Sequence, residues 1–158
     1  MEEDRKEKFL RKALEVEQEG INTYSSLVED SAKPSVVKFF EYMLEQEKSH
    51  KKSLEIVLRA LHDMDRERIK KISRDLEKED ISTPVFPDNI VVDSRTNITE
   101  LLNRALEFEE NGMEFYSSIG SRVQDDELER FFDDLKNQEK KHREMIVEFG
   151  REELGVLF

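Results

Sequence analysis

Two copies of one pattern, Glu47-Lys48-Ser49-His50 and Glu139-Lys140-Lys141-His142, stand 92 residues apart, from His50 to His142. They restrict what this chain can fold into. The frame around them repeats at the same offset: Gln46 matches Gln138, Phe39-Phe40 matches Phe131-Phe132, and Tyr24-Ser25-Ser26 matches Tyr116-Ser117-Ser118. No gap interrupts the correspondence between Leu10/Leu102 and His50/His142. Within each copy, apolar residues recur at three-and-four spacing, which marks helices. The chain reads as a tandem repeat of one helical hairpin.

Composition narrows the function. At 158 residues the chain is one ordinary domain. Charged residues make up 41% and apolar ones 36%, a balance that suits long amphipathic helices. A formal net charge of −12 opposes binding to nucleic acid or to an anionic membrane surface. There is no cysteine, so disulfides, thiolate zinc sites, iron–sulfur or rubredoxin-type centres and thiol catalysis are excluded. Metal chemistry here must use oxygen and nitrogen ligands. The N-terminus, Met1-Glu2-Glu3-Asp4-Arg5-Lys6, is charged where a signal peptide needs an apolar run, and no segment is apolar enough to span a bilayer. The expectation is a soluble, cytoplasmic protein.

The first helix is expected from about Asp4 to Asp30, with Glu17 on the face formed by Leu10, Ala13, Leu14, Ile21 and Tyr24. Ser31-Ala32-Lys33-Pro34 breaks it, and Pro34 suits the first turn of the next helix. That helix carries Glu47 and His50 at core positions among Val36, Phe40, Met43, Leu54, Val57 and Leu61. The charged stretch 63–80 retains a thin apolar row, Ile69, Ile72 and Leu76, and reads as a continuing or separate short helix. Pro84 and Pro87 mark 81–97 as an extended crossover. Thr96 or Asn97 is the expected cap of the third helix, which carries Glu109 among Leu102, Ala105, Leu106, Met113, Tyr116 and Ile119. After a turn near 120–126 the fourth helix carries Glu139 and His142, and Gly150 is its expected stop. Residues 154–158 are apolar and suit docking on the bundle or a partner. The expected fold is an all-α four-helix bundle of two repeated hairpins, about 4–62 and 98–150, joined by a long connection over 63–97.

Spacing brings the special residues to one height. Glu17 lies about fifteen residues before the first turn and Glu47/His50 about as far after it, so at ~1.5 Å per residue they meet near mid-helix. Glu109 and Glu139/His142 repeat this geometry, and residues three apart share a helix face. Four carboxylates and two imidazoles then converge in an apolar interior, where an uncompensated charge is costly. Two divalent cations balance the four carboxylates and neutral histidines complete the shell. The bland alternative, solvated glutamates beside ordinary core histidines, explains one half of the chain but not both halves in register.

Paired Glu-x-x-His motifs with a single Glu on each remaining helix are the pattern of di-iron and di-manganese helical bundles. The chain resembles the rubrerythrin-like branch of the ferritin-like di-iron carboxylate proteins, over both hairpins and including Tyr24 and Tyr116, each seven residues after its glutamate. The resemblance implies that Glu17, Glu47, His50, Glu109, Glu139 and His142 are the metal ligands, with Glu47 and Glu139 bridging. It places Tyr24 and Tyr116 behind them as hydrogen-bond partners of ligand carboxylates. Rubrerythrins usually add a cysteine-rich rubredoxin domain that supplies electrons. This chain has no cysteine, so the implied reductant is a separate electron-donor protein. The family also commonly carries a further ligating Glu one turn after the single Glu of the third helix, and Gly112 occupies that position here.

Gly20 and Gly112 serve close helix packing, or leave an open coordination position or access path for O2 or peroxide beside each metal. Carboxylate-rich sites with one imidazole per ion suit iron, manganese or zinc, of which the first two support redox chemistry. The leading expectation is a di-iron oxidoreductase that reduces hydrogen peroxide or O2. The competing ones are a ferroxidase or iron-binding module without a storage cage, and a structural dimetal bundle. Related bundles often pair as dimers, and the resemblance implies a homodimer as one possible state. His62 has no counterpart in the second half and is expected at the surface.

Overall fold

The breaks in the repeat fix the helix boundaries. The computed structural model describes residues 2–79, 95–153 and 155. Among these the protein is all-α: α1 (Glu2–Asp30), α2 (Pro34–His62), α3 (Arg66–Lys78), α4 (Arg95–Gly120) and α5 (Asp126–Glu148), followed by a π-helical turn over Phe149–Glu153. The α1/α2 break falls where expected: Ser31 donates both its N–H and its hydroxyl to the Leu27 carbonyl, and Pro34 opens α2 at a position where no N–H is needed. Asp125 caps α5 by accepting from the Leu128 N–H at 3.2 Å, with Asp126, Glu127 and Glu129 adding negative charge to the first turn.

Two expectations need correction, and one is decided between its alternatives. The charged stretch 63–80, read as a continuing or separate short helix, holds a separate helix, α3, which buries Ile69, Ser73 and Leu76. It is cut from α2 by Met64 in the left-handed region at φ 56°, where Asp65 N–H reaches Ala60 O and Met64 N–H reaches Leu61 O. That is a Schellman-type ending formed without glycine. Asp65 then caps α3 through the Arg68 N–H. Thr96 and Asn97 do not precede the helix they were expected to cap, because α4 already includes Arg95. Gly150 does not stop the last helix but lies inside the π-helical turn, whose first residue, Phe149, stacks on Phe39 with ring centroids 4.2 Å apart. The remainder of the 81–97 connector and of 154–158 lies outside the described residues, apart from Gly155.

α1 packs along α2 and α4 along α5, giving the two hairpins of the repeat; α1 meets α4, and α3 lies against α5 and α2. Two apolar clusters fill the interior. One holds Leu10, Leu54, Val57, Phe131, Phe132 and Leu135; the other holds Leu27, Phe39, Phe40, Met43, Leu102 and Ile146. The doubled phenylalanines are therefore core residues. The described helices include none long and apolar enough to cross a membrane.

Candidate metal centre

Polar residues on four helices converge in this apolar interior. Glu17 comes from α1, Glu47 and His50 from α2, Glu109 from α4, and Glu139 and His142 from α5, and all six are 0% exposed. Their ligand atoms form two interlocking groups, Glu17/Glu47/His50/Glu139 and Glu47/Glu109/Glu139/His142, each with its ligand atoms within 4.8 Å of one another. Glu47 and Glu139 belong to both. His50 Nδ1 lies 3.1 Å from Glu139 Oε1 and 3.6 Å from Glu17 Oε2, and His142 Nδ1 lies 3.4 Å from both Glu47 Oε1 and Glu109 Oε1.

The two tyrosines cross between hairpins. Tyr24 donates to Glu109 Oε1 at 2.6 Å, and Tyr116 donates to Glu17 Oε1 at 2.5 Å. In each case a tyrosine from one copy of the repeat holds the single glutamate of the other, so the duplication appears as a reciprocal pair of bonds. Burial, with the charge of Glu109 next, holds the Tyr24 hydroxyl well above its ordinary range; burial and Glu17 do the same at Tyr116. Both therefore remain neutral donors.

Crowded acids distort the titration of the centre. Burial first, then the neighbouring charge of Glu139, pushes Glu47 and Glu109 well above the usual carboxylate range. Burial also works to raise Glu17, but hydrogen bonding with Glu47 and the charge of His50 outweigh it and leave Glu17 lowered. His50 is the mirror case: burial disfavours its cation, yet Glu17 and Glu139 raise it well above normal. Burial takes His142 down to about 3, so that imidazole is neutral at physiological pH.

The donor set fits a pair of cations. Glu17 Oε2, both oxygens of Glu47, Glu109 Oε2, Glu139 Oε2 and both ring nitrogens of His142 are buried and have no hydrogen-bond partner. A buried carboxylate oxygen or imidazole nitrogen without a partner is strongly unfavourable, and two metal ions would satisfy the carboxylate oxygens and one nitrogen of His142, gathered in the two groups.

One residue in the site has no expected role in the sequence reading. Gln138 donates from Nε2 to the Leu76 carbonyl at the end of α3, at 2.9 Å, which turns its Oε1 toward His50 Nε2, 2.7 Å away. His50 donates Nε2–H to that oxygen, so Nδ1 faces the carboxylates. The Gln46-Glu47/Gln138-Glu139 match was the available signal. Its counterpart Gln46 makes no such bond, since its Oε1 lacks a partner. His62 sits at the surface as expected, its side chain 57% exposed and its Nε2 3.4 Å from Glu7.

Two interlocking sets of buried carboxylates and imidazoles place the protein among helical proteins with a carboxylate-rich site that could hold metal ions. A family model described as Rubrerythrin matches residues 8–149, and the chain belongs to the rubrerythrin family. No curated protein and no solved structure matches it.

Proposed function

We propose that the chain is a single ferritin-like di-iron domain over 1–158, with α1, α2, α4 and α5 as its four-helix bundle, that reduces hydrogen peroxide or O2 with electrons from a separate donor protein. The observation that carries this reading is the sharing of Glu47 and Glu139 between two four-residue groups, with both oxygens of Glu47 and one oxygen each of Glu17, Glu109 and Glu139 left without a hydrogen-bond partner. In it Glu17 and His50 would hold one ion, Glu109 and His142 the other, and Glu47 and Glu139 would be shared between them.

Reduction of one H2O2 to two waters takes up two electrons and two protons; an iron pair, when bound, supplies one electron per ion and a Lewis-acidic seat for the oxidant. The chain supplies the rest. Tyr24 and Tyr116 fix one oxygen each of Glu109 and Glu17, leaving the other oxygen to face the centre. Gln138 fixes the His50 tautomer. The flanking apolar clusters exclude water and strengthen every charge interaction inside. With no cysteine in the sequence, repeated turnover depends on an external reductant. Manganese would support related redox chemistry; zinc would make the same residues a structural site.

A ferroxidase is the second reading, favoured by the net charge of −12, which attracts Fe(II). Anaerobic loading with Fe(II), metal analysis and stopped-flow mixing with H2O2 or O2 test the main reading. The expected result is two irons per chain, oxidised by peroxide, with multiple turnovers only when a reductant is added. One ion or none, or an iron pair inert to both oxidants, overturns it. Oxygen uptake that needs Fe(II) but no donor selects the ferroxidase.

A further inference from the structure

Gly20 on α1 and Gly112 on α4 are equivalent in the repeat, yet their surroundings differ. A Cβ on Gly20 would fall 2.4 Å from Phe108 Cζ and 3.0 Å from Glu47 Oε2, so an aromatic ring already fills the space beside that glycine. A Cβ on Gly112 would find Glu139 as its nearest neighbour, with Oε2 at 3.1 Å, Cδ at 3.5 Å and Cγ at 3.6 Å. The repeat accounts for the contrast: the residue equivalent to Phe108 is Val16. Valine cannot reach across as phenylalanine does. Beside Gly112 lies a groove of about 290 Å³ between α1 and α4, lined by Val16, Thr23, Arg104, Phe108, Asn111 and Gly112. Gly112 thus lines the groove and also abuts Glu139, whose Oε2 has no hydrogen-bond partner.

We infer that the Val16–Gly112 groove is the single-sided entrance by which a small uncharged oxidant reaches the carboxylate centre, and that Phe108 closes the equivalent path at Gly20. The inference rests on the metal-centre reading above. Size selects the ligand: Glu139 Oε2 already lies 3.1 Å from where a Gly112 Cβ would stand, so only a molecule as small as H2O2 or a diatomic gas suits the passage. Charge selects it as well. Glu19 and Glu107 line the groove against one cation, Arg104, which is itself held by Asp30, so the lining is net negative and disfavours anions.

An exchange of plugs tests this. Val16→Leu and Val16→Phe fill the groove in two steps, and Val16→Phe combined with Phe108→Val moves the opening to Gly20. The probe is nitric oxide binding to iron-loaded, reduced protein, with H2O2 oxidation alongside and iron content measured for each variant. Narrowing an entrance changes rates and leaves equilibrium alone. Val16→Phe is expected to slow NO association and dissociation together by about tenfold or more, Val16→Leu by less, with affinity and iron content kept; the exchange variant recovers to within about threefold of wild type. Association rates in both single variants within about twofold of wild type, or no recovery in the exchange, overturn the proposal. If Val16→Phe loses iron or helix content, Val16→Leu carries the test. A wild-type protein that binds NO but is inert to H2O2 removes the peroxidase reading and leaves the entrance to be judged on NO alone.

Discussion

The imidazoles of His50 and His142 lie face to face, with ring centroids 5.3 Å apart and planes 12° from parallel. Two stacked rings among four buried carboxylates make an arrangement that protons alone satisfy poorly, since one histidine is driven toward its cation and the other toward its neutral form. The same rings with Nδ1 facing shared carboxylates are well placed as ligands to adjacent ions.

Glu139→Ala removes an oxygen pair from both groups at once. It is expected to abolish peroxide-driven oxidation and to lower metal content below two ions per chain. Tyr116→Phe takes only the hydroxyl that holds Glu17, so metal is retained while oxidation slows, and stability falls by about 1–3 kcal/mol because Glu17 Oε1 loses its donor. Metal analysis, stopped-flow spectra and urea denaturation of both variants measure this. Equal oxidation rates in wild type and Glu139→Ala would remove the paired motifs as the seat of reactivity.

Gln138→Leu cuts the link between His50 and α3. Metal affinity should fall by about 10- to 100-fold, whereas Gln46→Leu, at the equivalent position without such a bond, should stay within about threefold of wild type. Competition with a chromophoric chelator reads both. Equal losses in the two variants would show that Gln138 has no special hold on His50.

Two aspartates away from the centre give opposite pH dependences. Burial works to raise Asp125, but bonds from Arg66, the Leu128 N–H and Lys6 outweigh it and depress the carboxyl to about 2. Its contribution, about 2 kcal/mol, is present above pH ~4 and is lost as pH falls toward 2. Burial raises Asp134 to about 6 despite a hydrogen bond from Ser73, with the charge of Glu77 adding to the rise. A raised carboxyl costs stability as pH climbs from ~4 to ~6, so Asp134→Asn should gain about 2 kcal/mol at pH 7 and nothing at pH 3. Urea midpoints across pH 2–7 check both signs.

Met64, 86% exposed and held at φ 56°, closes α2 where glycine is the usual residue. Met64→Gly should stabilise the protein by about 1 kcal/mol, a rise of about 2–4 °C in Tm, because the left-handed conformation costs a side-chain-bearing residue more than the extra chain entropy costs glycine. A fall in Tm would mean that the Met64 side chain makes a contribution its exposure conceals.

The six convergent residues were legible because helical spacing and an exact repeat constrain position twice over. What escaped was set by tertiary contact. The end of the first hairpin near 62 was legible from the onset of the charged stretch, but with no glycine or asparagine there the left-handed turn at Met64 that makes α3 a separate helix was not. Gly150 looked like a stop because the stacking of Phe149 on Phe39, which carries the helical path onward, joins residues far apart in the chain. Gln138 gains its role only from the Leu76 carbonyl on another helix. Phe108 went unnoticed because a repeat draws attention to what matches, and its importance lies in failing to match Val16.

Among the described residues α3 has no counterpart after α5, and through Leu76 and Gln138 it reaches one imidazole of the two. A duplicated hairpin left to itself would produce interchangeable halves with no first and no second. One short helix gives the pair a polarity. On the two-metal reading proposed above, the half whose imidazole is held in advance is expected to fill first, so a protein assembled by copying would acquire a sequence of events that neither copy contains.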